Sequence, residues 1–190
     1  MPTPNRIKRS HWIALLAAVV VLGAAVVVAK TSREPFSDAQ FAVKAAQGSL
    51  AEVQLGRLAA QKSQSETVRA FGQRMATDHA ECKAKLKKIA AQESISLRED
   101  LDQDAKQSYE KLSKLSGRNF DRAYAQDMVK DHKKDVAEFQ KEASAGRNEA
   151  IRTFATDTLP TLQDHLKQAR ELKDLSDRSV TTVPVPNAPR

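Results

Sequence analysis

The sequence predicts an all-α protein in which four long helices form an antiparallel four-helix bundle, and three observations support this fold class. Residues 38–175 consist mostly of Ala, Leu, Lys, Gln, Glu and Arg, which are strong helix formers. Glycine occurs only six times in 190 residues, and Pro160 is the only proline inside a helical pattern. In four long segments, apolar residues recur every three or four positions, as expected for helices that bury one face.

The N-terminal segment has the pattern of an export signal or of a membrane anchor. Residues 12–29 carry no charge and follow a basic flank. This stretch is just long enough for a transmembrane helix, and Val27-Val28-Ala29 is also acceptable as a signal-peptide cleavage site. In both cases the positive flank stays in the cytoplasm. We therefore expect a periplasmic protein, tethered to the inner membrane by a hydrophobic helix over residues 12–29, or released by cleavage near Ala29.

The first two long helices are predicted over residues 38–62 and 66–92, after a linker at residues 31–37. Ser37 and Gln40 have the spacing of a capping box, and Ser65 is suited to cap the second helix. The apolar seam of the second helix is a continuous heptad pattern. It consists of Val68, Gly72, Met75, His79, Cys82, Leu86 and Ile89.

A short helix over residues 101–115 follows, and we expect Gly117 to end it. This short helix serves either as a crossover or as a packed connection. The third long helix is predicted over residues 120–144, between an Asn119 cap and Gly146. Its predicted seam is Ala125, Val129, His132, Val136, Phe139 and Ala143.

The fourth long helix is predicted over residues 148–175, with a kink at Pro160. Proline lacks the N–H group of a helical hydrogen bond and crowds the carbonyl group of Thr156. Residues 176–190 contain three prolines and few apolar residues, which predicts a disordered tail. The folded domain is therefore expected to span residues 38–175.

Charge and cysteine content exclude several classes of protein. Of the net charge of +7, residues 1–30 supply +4, so only +3 is spread over the other 160 residues. With no tryptophan after Trp12 and no basic cluster that includes exposed aromatic residues, nucleic-acid binding is not expected. Cys82 is the only cysteine, so no internal disulfide can form. The absence of a nucleophile elbow, a phosphate loop and a zinc-protease motif favours a role other than catalysis.

Three histidines suggest a metal site in the core. His79, His132 and His165 lie on the apolar seams, near the middle of three predicted helices, and Glu52 has the same position in the first helix. Residues at mid-helix share one level in a bundle whichever way each helix runs. One carboxylate and three imidazoles would suit a single ion of zinc, copper or iron better than calcium or magnesium.

Four neighbouring residues extend this candidate site. An aspartate directly precedes each histidine: Asp78, Asp131 and Asp164. These carboxylates either reach the edge of the site as ligands or orient an imidazole of a neighbouring helix. Cys82, one turn after His79, is a further candidate ligand. The alternative is a structural module of the envelope in which aspartates and buried histidines form core hydrogen bonds without metal.

Residues 36–175 resemble the bacterial family called domain of unknown function 4142. The resemblance rests on Phe41-x6-Gly48-x3-Glu52, Phe71-x3-Met75-x2-Asp78-His79, Phe120-Asp121-x2-Tyr124-x3-Met128-x2-Asp131-His132 and Leu159-Pro160-x4-His165. It implies a ferritin-like helical bundle exported to the cell envelope, without an established activity. It leaves open a homo-oligomer or an envelope protein as partner.

The chain departs from the di-iron ligand pattern of ferritin-like proteins. Those proteins carry Glu-x-x-His motifs on two helices. Here the residues three positions before the histidines are Ala76, Val129 and Leu162. A carboxylate-bridged di-iron centre is therefore disfavoured, whereas a mononuclear or storage-type site remains compatible with the sequence.

Overall fold

The computed structural model describes residues 37–181, with side chains described as far as residue 178. This part of the chain is all-α, with no strand. Its helices are α1 (Asp38–Lys62), α2 (Glu66–Gln92), α3 (Gln103–Ser113), α4 (Gly117–Ala145) and α5 (Glu149–Thr181). No helix within this range has the length and apolar character needed to cross a membrane. The predicted leader, and the predicted tail from residue 182 onward, lie outside the described residues.

Helices α1 and α2 begin and end where the sequence predicts. Ser65 caps α2, because its side chain accepts a hydrogen bond from the backbone N–H of Val68 at 3.4 Å. The predicted capping box at Ser37 is wrong, since its side chain makes no capping hydrogen bond. The carboxylate of Asp38 instead accepts hydrogen bonds from the backbone N–H groups of Arg147 and Asn148, at 3.0 and 2.9 Å. The start of α1 is thus tied to the turn between α4 and α5.

Two glycines let α1 and α2 pack with their backbones in contact. A Cβ atom added to Gly56 would lie 2.5 Å from the carbonyl oxygen of Gly72. A Cβ atom added to Gly72 would lie 2.7 Å from the carbonyl oxygen of Gly56. Any side chain at either position would therefore have to separate the two helices.

The first turn and the buried face of α4 differ from the predictions. The prediction that Gly117 ends α3 is wrong, because α3 already ends at Ser113. Gly117 instead opens α4 with a φ of +53°, in the left-handed region that favours glycine, and Asn119 therefore lies inside the helix rather than at its cap. The fully buried residues Phe120, Tyr124, Met128 and His132 follow one another at intervals of four, whereas Val129 and Val136 are only half-buried. The buried face is rotated about the helix axis relative to the predicted seam, because this i, i+4 row carries the larger side chains.

Helix α5 is longer than predicted and contains Pro160 without interruption. It continues to Thr181, six residues past the predicted end at residue 175. Two ion pairs lie on this extension: Asp177 contacts Lys173 at 2.7 Å and Arg122 of α4 at 3.0 Å. A pattern of apolar residues does not reveal such pairs, so the start of the tail was placed too early.

Two hydrophobic clusters fill the core. The Phe120 cluster is a set of buried residues from all five helices that includes Leu55, Met75, Leu112, Phe120, Met128 and Ala169. The Phe41 cluster draws on the four long helices and includes Phe41, Ala46, Leu86, Phe139, Phe154 and Leu162. In each long helix a buried polar residue separates the members of one cluster from those of the other. These four residues, the polar layer, are Glu52, His79, His132 and His165.

The order of the clusters along the chain gives the direction of each long helix. Helices α1 and α5 run from the Phe41 cluster to the Phe120 cluster, and α2 and α4 run the opposite way. The hairpins α1–α2 and α4–α5 are therefore antiparallel, whereas α2 and α4 are parallel. The connection through α3 returns the chain along the length of the helices, and Leu112 packs into the Phe120 cluster. The hairpins meet through contacts of α2 with α5 and of α1 with α4.

The turn between α4 and α5 covers a buried carboxyl group that the sequence did not reveal. Glu142 is fully buried beside Asp38 and Gly146. Burial, with the neighbouring charge of Asp38, raises the pKa of Glu142 to about 7. A Cβ atom at Gly146 would lie 2.7 Å from the backbone carbonyl oxygen of Glu142. Glycine is therefore required here for space, and its φ of −61° is one that any residue can adopt.

Replacement of Glu142 by glutamine should remove part of the dependence of stability on pH. The pKa of Glu142 is raised above the ordinary value of 4.5, so its contribution is complete below pH 4.5 and is lost as the pH rises through 7. Between pH 5 and pH 8, the free energy of unfolding should fall by roughly 1–3 kcal/mol more for the parent than for Glu142→Gln. Urea unfolding at both pH values measures this difference. The matched control is Glu138→Gln on the same helix, and parallel profiles for the parent and Glu142→Gln would contradict the assignment.

Candidate metal centre

Three imidazoles meet in the polar layer. His79 of α2, His132 of α4 and His165 of α5 are 3%, 0% and 1% exposed. Their ring centroids are separated by 5.3 to 5.5 Å, and one ring nitrogen from each lies within 4.8 Å of the others. We call this group the imidazole centre. Its ligand atoms come from three helices that the two hairpins bring to one level.

Hydrogen bonds on the far side of two rings fix which nitrogens are free. The Nδ1 atom of His132 lies 3.0 Å from the carbonyl oxygen of Met128. Because a carbonyl oxygen only accepts, Nδ1 carries the hydrogen and Nε2 keeps its lone pair. The Nε2 atom of His165 donates in the same way to the Oδ2 atom of Asp78 at 2.8 Å. The lone pair of His165 therefore lies on Nδ1.

The remaining nitrogens have poor partners or none. The Nε2 atoms of His79 and His132 are 3.4 Å apart, which is long for a hydrogen bond. The Nδ1 atoms of His79 and His165 are buried without a hydrogen-bond partner among the described residues. An unpaired polar group in the core costs about 1–3 kcal/mol. The core thus contains ring nitrogens that form no good hydrogen bond with the other described residues.

The spacing of these nitrogens fits a transition-metal ion. Two nitrogens bound at about 2.0–2.1 Å in a tetrahedral site are separated by about 3.4 Å. The distance between the Nε2 atoms of His79 and His132 has this value. The longest separation in the group, 4.8 Å, exceeds it, so binding requires the rings to draw together. Three protein ligands would leave a fourth position for water or another ligand.

Burial keeps the three imidazoles neutral at pH 7. It lowers the pKa of His79 well below the usual range and, together with His165, lowers the pKa of His132 to about 4. Burial also lowers the pKa of His165, although Asp78 acts in the opposite direction. A neutral imidazole offers a lone pair to a metal ion, whereas a protonated one does not.

The structure leaves Glu52 outside the imidazole centre. Its Oε1 atom lies 3.8 Å from Nδ1 of His132, the nitrogen that already donates to Met128. Glu52 therefore lies behind the ring of His132, on its Nδ1 side, and the structure does not bring it together with the other three predicted ligands. Glu52 is 3% exposed, and burial raises its pKa well above the usual range.

The three aspartates that precede the histidines lie in three different settings. Asp78 of α2 accepts a hydrogen bond from His165 of α5 and forms an ion pair with Arg74 at 3.2 Å. Asp164 contacts Arg74 at 2.7 Å and not an imidazole. Asp131 borders a groove formed by α1, α3 and α4. Arg74, which sequence reasoning missed, joins two of these carboxylates, and its i, i+4 spacing from Asp78 was the available signal.

Cys82 lies one turn from His79 but does not belong to the group. Its thiol is buried, and burial raises its pKa, although the hydroxyls of Ser49 and Thr158 act in the opposite direction. A protonated thiol is a poor metal ligand at neutral pH.

A cleft connects the imidazole centre to solvent. This α2–α5 cleft has a volume of 780 Å³, and its lining includes His79, Cys82, Leu162 and His165. The open side of a three-imidazole site would therefore be accessible to a small molecule.

Comparisons with known proteins agree with this architecture. The profile of DUF4142, described as a domain of unknown function, matches residues 24–172, which is more than half of the chain. The crystal structure of a DUF305 fragment from Deinococcus radiodurans is similar, with a TM-score of 0.63. That similarity covers 74% of this chain and 95% of the fragment, at 16% sequence identity, and therefore shows a shared fold alone. None of the curated proteins matches the chain.

Proposed function

The chain belongs to the DUF4142 family, and on this premise we propose that it is a cell-envelope protein that binds one transition-metal ion. The ligands are His79, His132 and His165, held in a ferritin-like antiparallel four-helix bundle. The observation that carries the proposal is the convergence of three buried imidazoles, two of which are held from behind by other groups. Two antiparallel hairpins joined by one long crossover are the connectivity of ferritin-like bundles, which supports the proposed architecture.

The surroundings of the imidazoles support metal binding. Metal-bound histidines usually donate their second N–H group to a carboxylate or a backbone carbonyl. His165 donates to Asp78, and His132 donates to the carbonyl of Met128. Nitrogen donors favour zinc, copper or iron over magnesium and calcium. The carboxylate of Asp78, which accepts the hydrogen bond of His165, can balance part of the charge of a divalent ion.

The envelope location is proposed from the N-terminal sequence. The uncharged residues 12–29 and their basic flank fit an anchor in the inner membrane or a cleaved signal. We propose that the helical domain lies in the periplasm, where it holds a metal ion reversibly. We assign no reaction to the centre.

A structural module is the second candidate function, and one observation favours it. The hydrogen bond between Asp78 and His165, at 2.8 Å, is the kind of core bond that such a module would contain. However, Asp164 bonds to Arg74 instead of a histidine. The module also leaves the Nδ1 atoms of His79 and His165 without a hydrogen-bond partner among the described residues, which costs stability.

Metal content tests the proposed function. The full chain, untagged and kept in detergent, would be loaded separately with Zn²⁺, Cu²⁺ or Fe²⁺, desalted, and measured by elemental mass spectrometry. We expect about one ion per chain for at least one metal, and loss of that ion in His79→Ala/His132→Ala, because one ligand cannot hold it.

The matched control is His11→Ala, which removes the fourth histidine and should keep its ion. Circular dichroism should show that the double variant keeps its helices. Equal metal in the parent and the double variant, or no metal in the parent, would reject the imidazole centre in favour of the structural module.

A further inference from the structure

An acidic groove lies on a different side of the molecule from the α2–α5 cleft. This α1–α4 groove is bordered by α1, α3 and α4 and has a volume of 640 Å³. Three lysines line it, and one of them, Lys111, pairs with Asp127 at 3.2 Å. Six carboxylates also line it: Glu52, Asp102, Asp104, Asp127, Asp131 and Asp135. Acidic side chains therefore outnumber basic ones by two to one.

A second observation, independent of this count, indicates a cation. Glu52 borders the groove and is 3% exposed, yet its Oε2 atom has no hydrogen-bond partner among the described residues. Buried carboxyl oxygens normally have such a partner, and a positive ion can supply it. Asp131 and Asp135 extend the acidic wall on the adjacent face of α4, one helical turn apart.

A second cavity is lined both by residues of the groove and by one imidazole of the centre. A smaller inner cavity of 110 Å³ shares Gly48, Asp102, Lys134 and Asp135 with the groove. Its lining also includes His79 and Cys82. One water molecule needs about 10–15 Å³ of such volume, so the cavity has room for several. Asp135 and His79 thus line one common cavity, together with apolar side chains such as Phe139 and Leu162.

The α2–α5 cleft is less suited to attract cations. Its basic residues Arg74, Lys85 and Lys88 are balanced by three acidic ones, and Arg74 is held over Asp78 and Asp164 by ion pairs. A potential of one sign in a recess concentrates ions of the opposite sign and speeds their association.

We infer that the α1–α4 groove is a docking site for hydrated divalent transition-metal cations that feeds the imidazole centre. Asp131 and Asp135 hold the ion at the inner end of the groove, before His79 receives it. This inference rests on the proposed function, since it concerns the route to the proposed centre. The α2–α5 cleft is then left to exogenous ligands of the bound ion.

The rate of metal loading tests the route separately from the site. Co²⁺ would be mixed with the full chain in detergent at low ionic strength, and the visible absorption of the bound ion followed by stopped flow. We expect Asp131→Asn/Asp135→Asn to load about tenfold more slowly than the parent, and to show a weaker dependence on salt. The final metal content should be unchanged. The matched control is Glu81→Gln/Asp157→Asn, which neutralises two carboxylates of the cleft and should load at the parent rate.

A second groove variant keeps the inference testable if Asp131→Asn/Asp135→Asn does not fold. Lys134→Glu adds negative charge at the exposed rim of the groove and should load faster than the parent. Equal slowing of both double variants, or an unchanged rate in the groove variants, overturns the route. Lower final metal content in Asp131→Asn/Asp135→Asn also overturns it, because these carboxylates would then be ligands. A parent that binds no Co²⁺, Zn²⁺ or Cu²⁺ at all instead rejects the proposed function, and the route with it.

Discussion

Saturation with Zn²⁺ is expected to raise the free energy of unfolding of the full chain by about 4 kcal/mol when the free ion is a thousandfold above its dissociation constant. An ion that binds only the folded state stabilises it by mass action, and the imidazole centre exists only when α2, α4 and α5 are packed. Urea unfolding with and without Zn²⁺ measures this increment.

The dependence of the increment on pH separates the centre from surface histidines. An ordinary imidazole, with a pKa near 6.5, is mostly protonated at pH 6 and competes poorly for metal. Burial lowers the pKa of His132 to about 4, so protons should not compete there until the pH falls well below 6. The increment should therefore be nearly equal at pH 7 and pH 6, and should vanish in His79→Ala/His132→Ala. An increment that survives in this variant would place the ion elsewhere.

Replacement of Gly56 by valine is expected to lower the free energy of unfolding by about 3 kcal/mol or more. The Cβ atom would lie 2.5 Å from the carbonyl oxygen of Gly72 and 2.9 Å from the backbone nitrogen of Ala76. Both contacts are with backbone atoms that cannot rotate away, so α1 and α2 must move apart. Urea unfolding of the ion-free chain measures the loss.

Gly48→Ala is the matched control in the same helix. A Cβ atom at Gly48 meets no atom within 4 Å, so this change should stabilise the chain by about 0.5–1 kcal/mol through helix propensity. If both substitutions shifted stability in the same direction by similar amounts, the close approach of the two helices would not be the cause.

The sequence predicted helix positions well where strong local signals mark their ends. Both ends of α1 and α2 were predicted correctly, because the turn at residues 63–65 is polar and the apolar pattern is continuous on either side of it. The prediction from sequence failed where contacts between distant residues determine a helix end or its cap. In the part of α5 beyond its predicted end, Asp177 forms an ion pair with Arg122 of α4. At the start of α1, Asp38 accepts a hydrogen bond from the turn before α5, and the predicted capping bond of Ser37 is absent. Partners so distant in sequence cannot be identified from spacing alone.

The candidate site was predicted unevenly for a similar reason. Periodicity placed His79, His132 and His165 on buried faces, and mid-helix position placed them at one level. Periodicity does not show on which side of a ring a neighbour lies, so Glu52 was predicted as a ligand although it lies behind His132. Glu142 was missed because its burial depends on Asp38 and on the following turn, and a glutamate near a helix end is usually exposed.

The polar layer has a consequence for hydrogen exchange, because its three imidazoles come from α2, α4 and α5 and none comes from α1. A bound ion would add its binding free energy to the cost of every local opening that separates α2, α4 and α5 from one another. It would add nothing to an opening of α1, which supplies no imidazole and is held by packing and by hydrogen bonds such as those of Asp38. Backbone amides of α2, α4 and α5 would then exchange more slowly with metal present, and those of α1 would keep their rate. Among the four long helices, α1, which forms one wall of the acidic groove, is therefore the one that can open while the ion stays bound.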